Sequence, residues 1–356
     1  MKKVSIVLPV HNEAQNIDFV IQELLQCLEV FVSFFRFEVI VVDDGDDDLE
    51  ILFKQSIEKY HLSKIKTSKK FYENKKDFSR AEQAKARKVS INKLKRENRF
   101  VSFKYIKLAR KVGQGNATIA GLEESGGSWA ITMDADGQDD PIFIIEMLKR
   151  LLEEENVDII LIQRPSEKKS VLYFLAAKLF YTQFSKNSGF EIPPGGGDYR
   201  LISRRVMDFV LSSRDPEPFL RGLVLYPSKN IVVINSQNYG ANRRARNAGK
   251  SKYNFSKSFT VAMHGFLTFS TFPLKLVTKI GFILALVLPT IFIYAVFMRL
   301  LTNNWIPGGT LIIGLLVSLF GVNFIIQAIF AEYMRKSFKL AINRPRYIVE
   351  RKWSYR

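Results

Sequence analysis

Three short apolar runs in this chain break off in the same manner. Val4 to Leu8 runs into Pro9-Val10-His11-Asn12-Glu13, Phe37 to Val42 into Asp43-Asp44-Gly45, and Trp129 to Met133 into Asp134-Ala135-Asp136-Gly137-Gln138-Asp139-Asp140-Pro141. Such runs, without polar alternation, suit strands buried on both faces. Between the first two, Ile17, Val20, Ile21, Leu24, Leu25, Leu28, Phe31 and Val32 recur at helical spacing and predict a helix over 14–35. Val101 to Leu108 and Val157 to Gln163 read as further strands, and Asn116 to Glu124 and Pro141 to Glu154 as helices. Strands alternating with helices predict an open α/β sheet whose ligand lies beyond the carboxyl ends of the strands.

The pattern changes in the last third of the chain. Ile280 to Met298 and Trp305 to Ala331 carry no charge, and each is long enough to cross about 30 Å of hydrocarbon. They predict spans at about 279–299 and 306–331, joined by a short uncharged linker with Trp305 at the outer interface. Lys and Arg flank the pair on both sides, so the positive-inside rule puts both chain ends in the cytoplasm. Just before the first span, Phe255, Phe259, Met263, Phe266 and Phe269 or Phe272 form a stripe expected to lie in the plane of the interface. Ser170 to Phe184 shows aromatics over much of its surface. The organisation read from the pattern is an α/β domain over 1–235, a loop and juxtamembrane helices over 236–275, two spans within 276–332 and a basic cytoplasmic tail over 333–356.

Composition narrows this picture further. A chain of 356 residues with 47% hydrophobic content can hold one large α/β domain plus appendages. Cys27, the single cysteine, excludes an intrachain disulfide. Met1-Lys2-Lys3 leads directly into a strand pattern with no cleavable leader, so the expected location is the cell membrane, multi-pass, with the catalytic half in the cytoplasm. In a eukaryote the corresponding place is the endoplasmic reticulum membrane. The net charge of +18 gathers around 60–100 and in the tail. Beside two spans, attraction to anionic membrane lipids accounts for it more simply than nucleic-acid binding. The basic insertion at 60–100 includes Ser79-Arg80-Ala81-Glu82, a capping-box pattern that predicts a basic helix through about Glu97.

The carboxylates after the third run carry the chemistry. If the strand pleat continues, Asp134 and Asp136 project to one side. Two anionic oxygens suit a hard cation such as Mg2+ or Mn2+, whose remaining positions are commonly filled by substrate phosphate oxygens. The site therefore asks for a diphosphate.

Leu8-Pro9-Val10-His11-Asn12-Glu13, Val42-Asp43-Asp44-Gly45, the Asp134 to Pro141 stretch, Gly197-Asp198-Tyr199-Arg200-Leu201, Ala248-Gly249-Lys250-Ser251-Lys252-Tyr253 and Arg344-Pro345-Arg346-Tyr347-Ile348-Val349 follow one another across nearly the whole chain. The ordered set resembles the inverting GT-A glycosyltransferases of family 2, within them the polyprenyl-phosphate glycosyltransferases of the dolichyl-phosphate mannosyltransferase and bactoprenol glucosyltransferase type. The resemblance implies a GT-A (Rossmann-like) mixed α/β sheet domain followed by juxtamembrane amphipathic helices and a two-helix transmembrane hairpin. It implies transfer of a hexose from a UDP- or GDP-linked nucleotide-sugar to undecaprenyl or dolichyl phosphate, and assembly as a homo-oligomer is compatible with it.

Residue by residue, the resemblance assigns Pro9, His11, Glu13, Asp43 and Asp44 to the nucleoside, with Arg110, Asp134 and Ala135 also at the nucleotide-sugar. His11 reads as nucleoside packing rather than a base. Arg110, Gly113 and Gly115 resemble a basic-glycine loop. Asp136 and Gln138, with Asp134, are the expected metal ligands, while the sequence leaves open which of Asp139 and Asp140 is the family's acid. Asp198 aligns with the family's candidate base. A phosphate monoester is already anionic at neutral pH, so proton removal and simple orientation both stay open for it. Arg200, Arg246, Ser251 and Lys252 are the expected cations and donors for the acceptor phosphate, with Arg243 and Arg244 nearby.

Two alternatives follow from the same residues. A transferase to another lipid or to a growing polysaccharide would share the donor site, although the Gln-x-x-Arg-Trp pattern of processive synthases precedes none of Trp129, Trp305 and Trp353. A catalytically silent membrane scaffold would not require both Asp134 and Asp136.

Overall fold

A computed structural model describes residues 1–45, 49–63, 100–154, 156–163, 182, 185–186, 189–193, 196–236, 269, 272–302 and 308–355. Its centre is a sheet of eight strands: β1 Lys2–Val10, β2 Phe35–Asp43, β3 Val101–Leu108, β4 Trp129–Thr132, β5 Ile159–Gln163, β6 Gly196–Ser203, β7 Ile231–Asn235 and β8 Val349–Tyr355. They lie in the order β7-β5-β6-β4-β1-β2-β3-β8. The pairs β1/β2, β1/β4, β2/β3 and β5/β7 are parallel, and β4/β6, β5/β6 and β3/β8 antiparallel. The mixed α/β sheet is thus present, with its parallel half built from the three runs that the sequence marks together with β3.

Helices cover both faces. α1 (Ala14–Leu28), α2 (Leu49–Ser63) and α4 (Ile142–Glu153) enclose one core with Ile6, Leu8, Val39, Val41, Phe53 and Tyr105. On the other face, α3 (Gln114–Glu123), α5 (Arg204–Ser212) and α6 (Leu220–Leu225) enclose a second core with Val7, Ile40, Val42 and Ile202. Strands buried on both sides explain why the first runs are continuously apolar.

Three expectations change. The helix predicted over 14–35 stops at Leu28, passes through one 3-10 turn at Glu29–Phe31 and gives way to β2 at Phe35. Phe31, Phe35 and Phe37 pack ring against ring with centroids 6.2 to 6.4 Å apart, so the apolar residues after Leu28 belong to the turn into the sheet. Gly196 and Gly197, whose lack of side chains would let a backbone approach a ligand closely, instead open β6, a fully integrated strand between β4 and β5. The basic tail contains β8, which closes the sheet beyond β3. Trp353 stacks on Tyr105 and Phe53 at 5.7 Å each, while Arg351 and Lys352 pair with Glu50 and Glu124.

Two long helices precede β8: α7 Phe272–Thr302 and α8 Gly308–Ile342. Among the described residues one stretch, Leu315–Ile342, is long and apolar enough to cross a membrane, and it is unburied. Many large apolar side chains on both helices are exposed, including Phe282, Ile293, Phe297, Phe320 and Phe324. α8 continues past Ala331 and fastens to the sheet domain, with Arg335 and Lys339 on Glu217 and Lys336 on Asp215. Phe269 departs from its expected place in the interface. It packs against Phe190, Phe219 and Tyr226 of the sheet domain at 5.4 to 6.2 Å, because Gly222 leaves room where a Cβ would meet it at 2.7 Å. The stripe from Phe255 to Phe266, the Ser170 stretch up to Tyr181, the predicted helix from Ser79 and the linker around Trp305 lie outside the described residues.

Candidate active site

The carboxyl ends of β1, β2 and β4 converge. At the first, Asn12 adopts a left-handed backbone, φ 53°, and its turn presses on Gly45 so closely that a Cβ there would sit 2.5 Å from the Asn12 Oδ1. The glycine of Asp-Asp-Gly is therefore a packing requirement. Asp43 is buried: its Oδ1 accepts from the Gly45 amide at 3.0 Å, and its Oδ2 from the Tyr105 hydroxyl at 2.7 Å and Lys107 Nζ at 3.0 Å.

Asp44 turns the other way and accepts from the amides of Val112 at 2.7 Å and Gly113 at 2.8 Å. Its two oxygens shape the basic loop that carries the exposed Arg110 and Lys111. His11 Nδ1 lies 2.8 Å from the Asp44 carbonyl oxygen and Nε2 2.6 Å from Lys111 Nζ. A carbonyl only accepts, so Nδ1 carries the proton and Nε2 receives the lysine. His11 thereby braces two turns against each other. Pro9 is half-buried on β1 opposite Val42, and Glu13 accepts from Asn16 Nδ2 at 2.7 Å at the start of α1.

β4 ends at Thr132, two residues before Asp134, so the pleat does not carry the acids. They lie instead on a turn that reverses at Gly137, φ 79°, where a side chain would be strained. Asp134 is half-buried and accepts from Gln114 Nε2 at the start of α3. Asp136 is buried and accepts from the Gln138 amide at 3.0 Å. Ala135 is buried between the two acids. Asp139 and Asp140 take different tasks: the first accepts from the Asp134 amide at 3.0 Å, the second from the Ile142 amide at the helix start at 3.0 Å. Asp139 thus supports the metal-site candidates and Asp140 the helix behind them.

The donor set of Asp134, Asp136 and Gln138 consists of hard oxygens, which fits Mg2+ or Mn2+ and not a soft metal. Among the described residues no three His, Cys, Asp or Glu side chains gather into a cage.

The neighbouring strand β6 brings the acceptor-side candidates. Thr132 Oγ1 donates to the Asp198 carbonyl at 2.6 Å, tying the two strand ends together. The Asp198 carboxylate accepts from Arg200 Nη2 at 3.3 Å and from Arg221 through Nε at 3.3 Å and Nη2 at 2.9 Å. Arg200 is 1% exposed, in register with Thr132 on one side and Leu161 on the other. Burial pushes its guanidinium below the ordinary arginine range, and Asp198 and Asp134 oppose that shift. Its Nε is buried and has no hydrogen-bond partner among the described residues. Arg221, 42% exposed on α6, has no motif around it that marks it in the sequence. Its signal is spatial, the fork onto Asp198. Arg246, Ser251, Lys252, Arg243 and Arg244 lie outside the described residues.

Comparison with known proteins bears on this arrangement. The prophage bactoprenol glucosyl transferase homolog of Escherichia coli K12 is 29% identical over 252 residues, covering 69% of this chain and 78% of that protein. The undecaprenyl-phosphate 4-deoxy-4-formamido-L-arabinose transferase of Photorhabdus laumondii is 24% identical over 356 residues, 99% of this chain and 94% of its own. Among solved structures, glucosyl-3-phosphoglycerate synthase from Mycobacterium tuberculosis, in complex with Mg2+ and uridine diphosphate, covers 75% of this chain and 78% of its own at 16% identity, with a TM-score of 0.44. The profile of glycosyl transferase family 2 matches residues 5–72 and 84–211, which contain most of β1, all of β2 to β6 and every described acid of the site. That match spans more than half of the chain, and the protein is a glycosyltransferase belonging to family 2.

Proposed function

We propose that this glycosyltransferase moves a hexose from a UDP- or GDP-linked nucleotide-sugar to a polyprenyl phosphate at the cytoplasmic face of a membrane, with inversion at the anomeric carbon. The carrying observation is adjacency: Thr132 joins the end of β4, which leads to the acidic turn, to Asp198 and its two arginines on β6 and α6. A diphosphate held by the turn and a phosphate held by guanidiniums would meet there. The acceptors in the names of the two relatives support the lipid reading.

A divalent ion at Asp134, Asp136 and Gln138 would neutralise charge on the departing nucleoside diphosphate. The chain's own residues do the rest. Asp43, Asp44 and His11 hold the nucleoside edge in one shape, Arg110 and Lys111 offer charge to the diphosphate, and Gln114 fixes the Asp134 carboxylate. An acceptor phosphate oxygen forms the new bond to the anomeric carbon from the face opposite the nucleotide as the bond to the diphosphate breaks. One displacement gives one inversion.

The return of the chain to the sheet supports a hairpin anchor. β8 pairs with β3 only seven residues after α8 ends, and Phe269, three residues before α7, packs on the sheet domain, which is compatible with two crossings that return the chain to the side it left. Lys275 and Lys279 at one end and Arg335, Lys336 and Lys339 at the other match a cytoplasmic assignment. A cysteine placed at Asn303 should be labelled by an impermeant thiol reagent from outside intact cells, and one at Ser354 should not; buried Cys27 gives little background. The opposite pattern would reverse the membrane face.

The decisive assay presents purified full-length protein with a panel of nucleotide-sugars and either undecaprenyl or dolichyl phosphate, and identifies the glycolipid by mass. A glycolipid with one hexose and chelator-sensitive formation is the expected product. Sugar appearing only on other lipids or on polymer would favour the alternative acceptors, and nucleotide binding without any transfer would favour a scaffold.

A further inference from the structure

The reading above brings guanidiniums to the acceptor phosphate without saying which of them touches it. We infer that Arg221 is a ligand of the acceptor phosphate, and that Asp198 is the positioning residue that aims it; this rests on the polyprenyl-phosphate reading of the site.

Geometry makes the case. Arg221 reaches Asp198 through Nε and Nη2, so two of its donors fix the plane of the guanidinium while the side chain stays 42% exposed. Arg200 engages the same carboxylate from beneath and is itself buried. A carboxylate between two guanidiniums has its lone pairs directed at N–H donors, which orients an arginine well and suits a proton acceptor poorly. Two guanidiniums thus converge on one carboxylate, an arrangement that a phosphate can join through further charge-assisted hydrogen bonds.

The location of Arg221 points to the same ligand. The loop before it is fastened from two directions: Lys336 of α8 holds Asp215 at 3.0 Å, and Asn116 of α3 donates to the Pro216 carbonyl at 3.1 Å. Directly after it, Gly222 admits the ring of Phe269, three residues before α7 begins. Arg221 therefore stands between the root of the long apolar helices and Asp198. A phosphate esterified to a membrane-embedded chain would approach from that root, whereas a soluble nucleotide-sugar sits over β1, β2 and the acidic turn. A planar fork with exposed N–H groups at this position matches a phosphate monoester.

The test uses full-length protein in detergent micelles with undecaprenyl phosphate and the donor identified by the panel. Arg221→Ala should raise the acceptor KM by about 10- to 100-fold, the equivalent of losing hydrogen bonds to a charged group, and leave the donor KM within about twofold. Arg221→Lys should recover part of the loss, since charge returns without the fork. Asp198→Asn should raise the acceptor KM too, and its effect should be much less than additive with Arg221→Ala.

An unchanged acceptor KM in Arg221→Ala overturns the assignment, and an equal rise in donor KM moves Arg221 to the diphosphate. Loss of kcat in Asp198→Asn with acceptor KM intact overturns the positioning role. Retained nucleotide binding checks that Asp198→Asn is folded, and the half-exposed Arg221 variants carry the ligand assignment independently. If wild-type protein transfers to no polyprenyl phosphate, the reading of function fails together with this one. If wild type transfers normally and Arg221→Ala matches it, only the assignment of Arg221 falls.

Discussion

The two sides of the cleft are built on different principles. On the nucleoside side, Asp43 and Asp44 are satisfied by donors of the protein itself: Tyr105, Lys107 and the amides of Gly45, Val112 and Gly113. On the acceptor side, cationic groups predominate, and Arg200 keeps a buried Nε that no described residue satisfies. The first region is rigid before any ligand arrives, because each carboxylate is fixed by several hydrogen bonds. In the second, two guanidiniums converge on one carboxylate. The acids of the first region thus serve mainly to shape loops, while α6, far along the chain, brings a guanidinium to Asp198.

The sharpest way to break this comparison lies between the two regions. Asp136→Asn should reduce transfer by about 10³-fold or more, as loss of a metal ligand in a diphosphate-leaving reaction requires, with the thermal midpoint little changed. Transfer rates with added Mg2+ or Mn2+ and in excess chelator are the measurement, and full activity in chelator would remove the metal from the site.

Asp43 should instead behave as a structural acid. Asp43→Ala removes the buried carboxylate that accepts from Lys107, Tyr105 and the Gly45 amide, so it should cost about 3–5 kcal/mol of stability by chemical denaturation, the usual result of removing one partner of a buried pair. Arg221→Ala, by contrast, should leave stability nearly unchanged. Equal losses in the two variants would erase the distinction between the regions.

A smaller effect is expected at the last strand. Trp353→Ala removes the stack on Phe53 and Tyr105 and should cost about 1–3 kcal/mol. Because Tyr105 donates to Asp43, nucleotide affinity should fall by a few fold while the acceptor KM stays put; Trp353→Phe should restore most of both. Isothermal calorimetry with the nucleotide alone separates the two effects.

The least effect concerns Glu38, deep in the parallel half. Burial by itself would raise its carboxyl, but hydrogen bonds from Lys3, the Gly126 amide and Ser5, with the charge of Lys104, outweigh it and hold the group below its ordinary value of 4.5. A depressed folded value means the stabilisation is complete above the ordinary carboxylate range and is lost as pH falls through the lowered one. Glu38→Gln should therefore be less stable than wild type at neutral pH by about 1–2 kcal/mol, and the gap should close in acid. A gap that widens in acid would contradict the network.

The sequence by itself determined where the acids after β1, β2 and β4 gather. Its acids sit at the ends of contiguous apolar runs, and a buried parallel strand delivers whatever follows it to the same edge of the sheet. Asp43, Asp44, Asp134, Asp136 and the Gly45 turn were legible for that reason, and β3 lies where its alternation put it. The finer geometry was not. Whether Asp134 and Asp136 stand on a pleat or a turn depends on where β4 stops, and that is set by its pairing with β6, about 70 residues later. Only the tertiary structure decided that the glycine stretch leads into a central strand, that Trp353 returns from beyond the apolar helices to support Tyr105, and that Arg221 faces Asp198. The physical reason is common to all three: each depends on a partner distant along the chain, and local periodicity carries no information about which distant surface a strand edge, a ring or a guanidinium will meet.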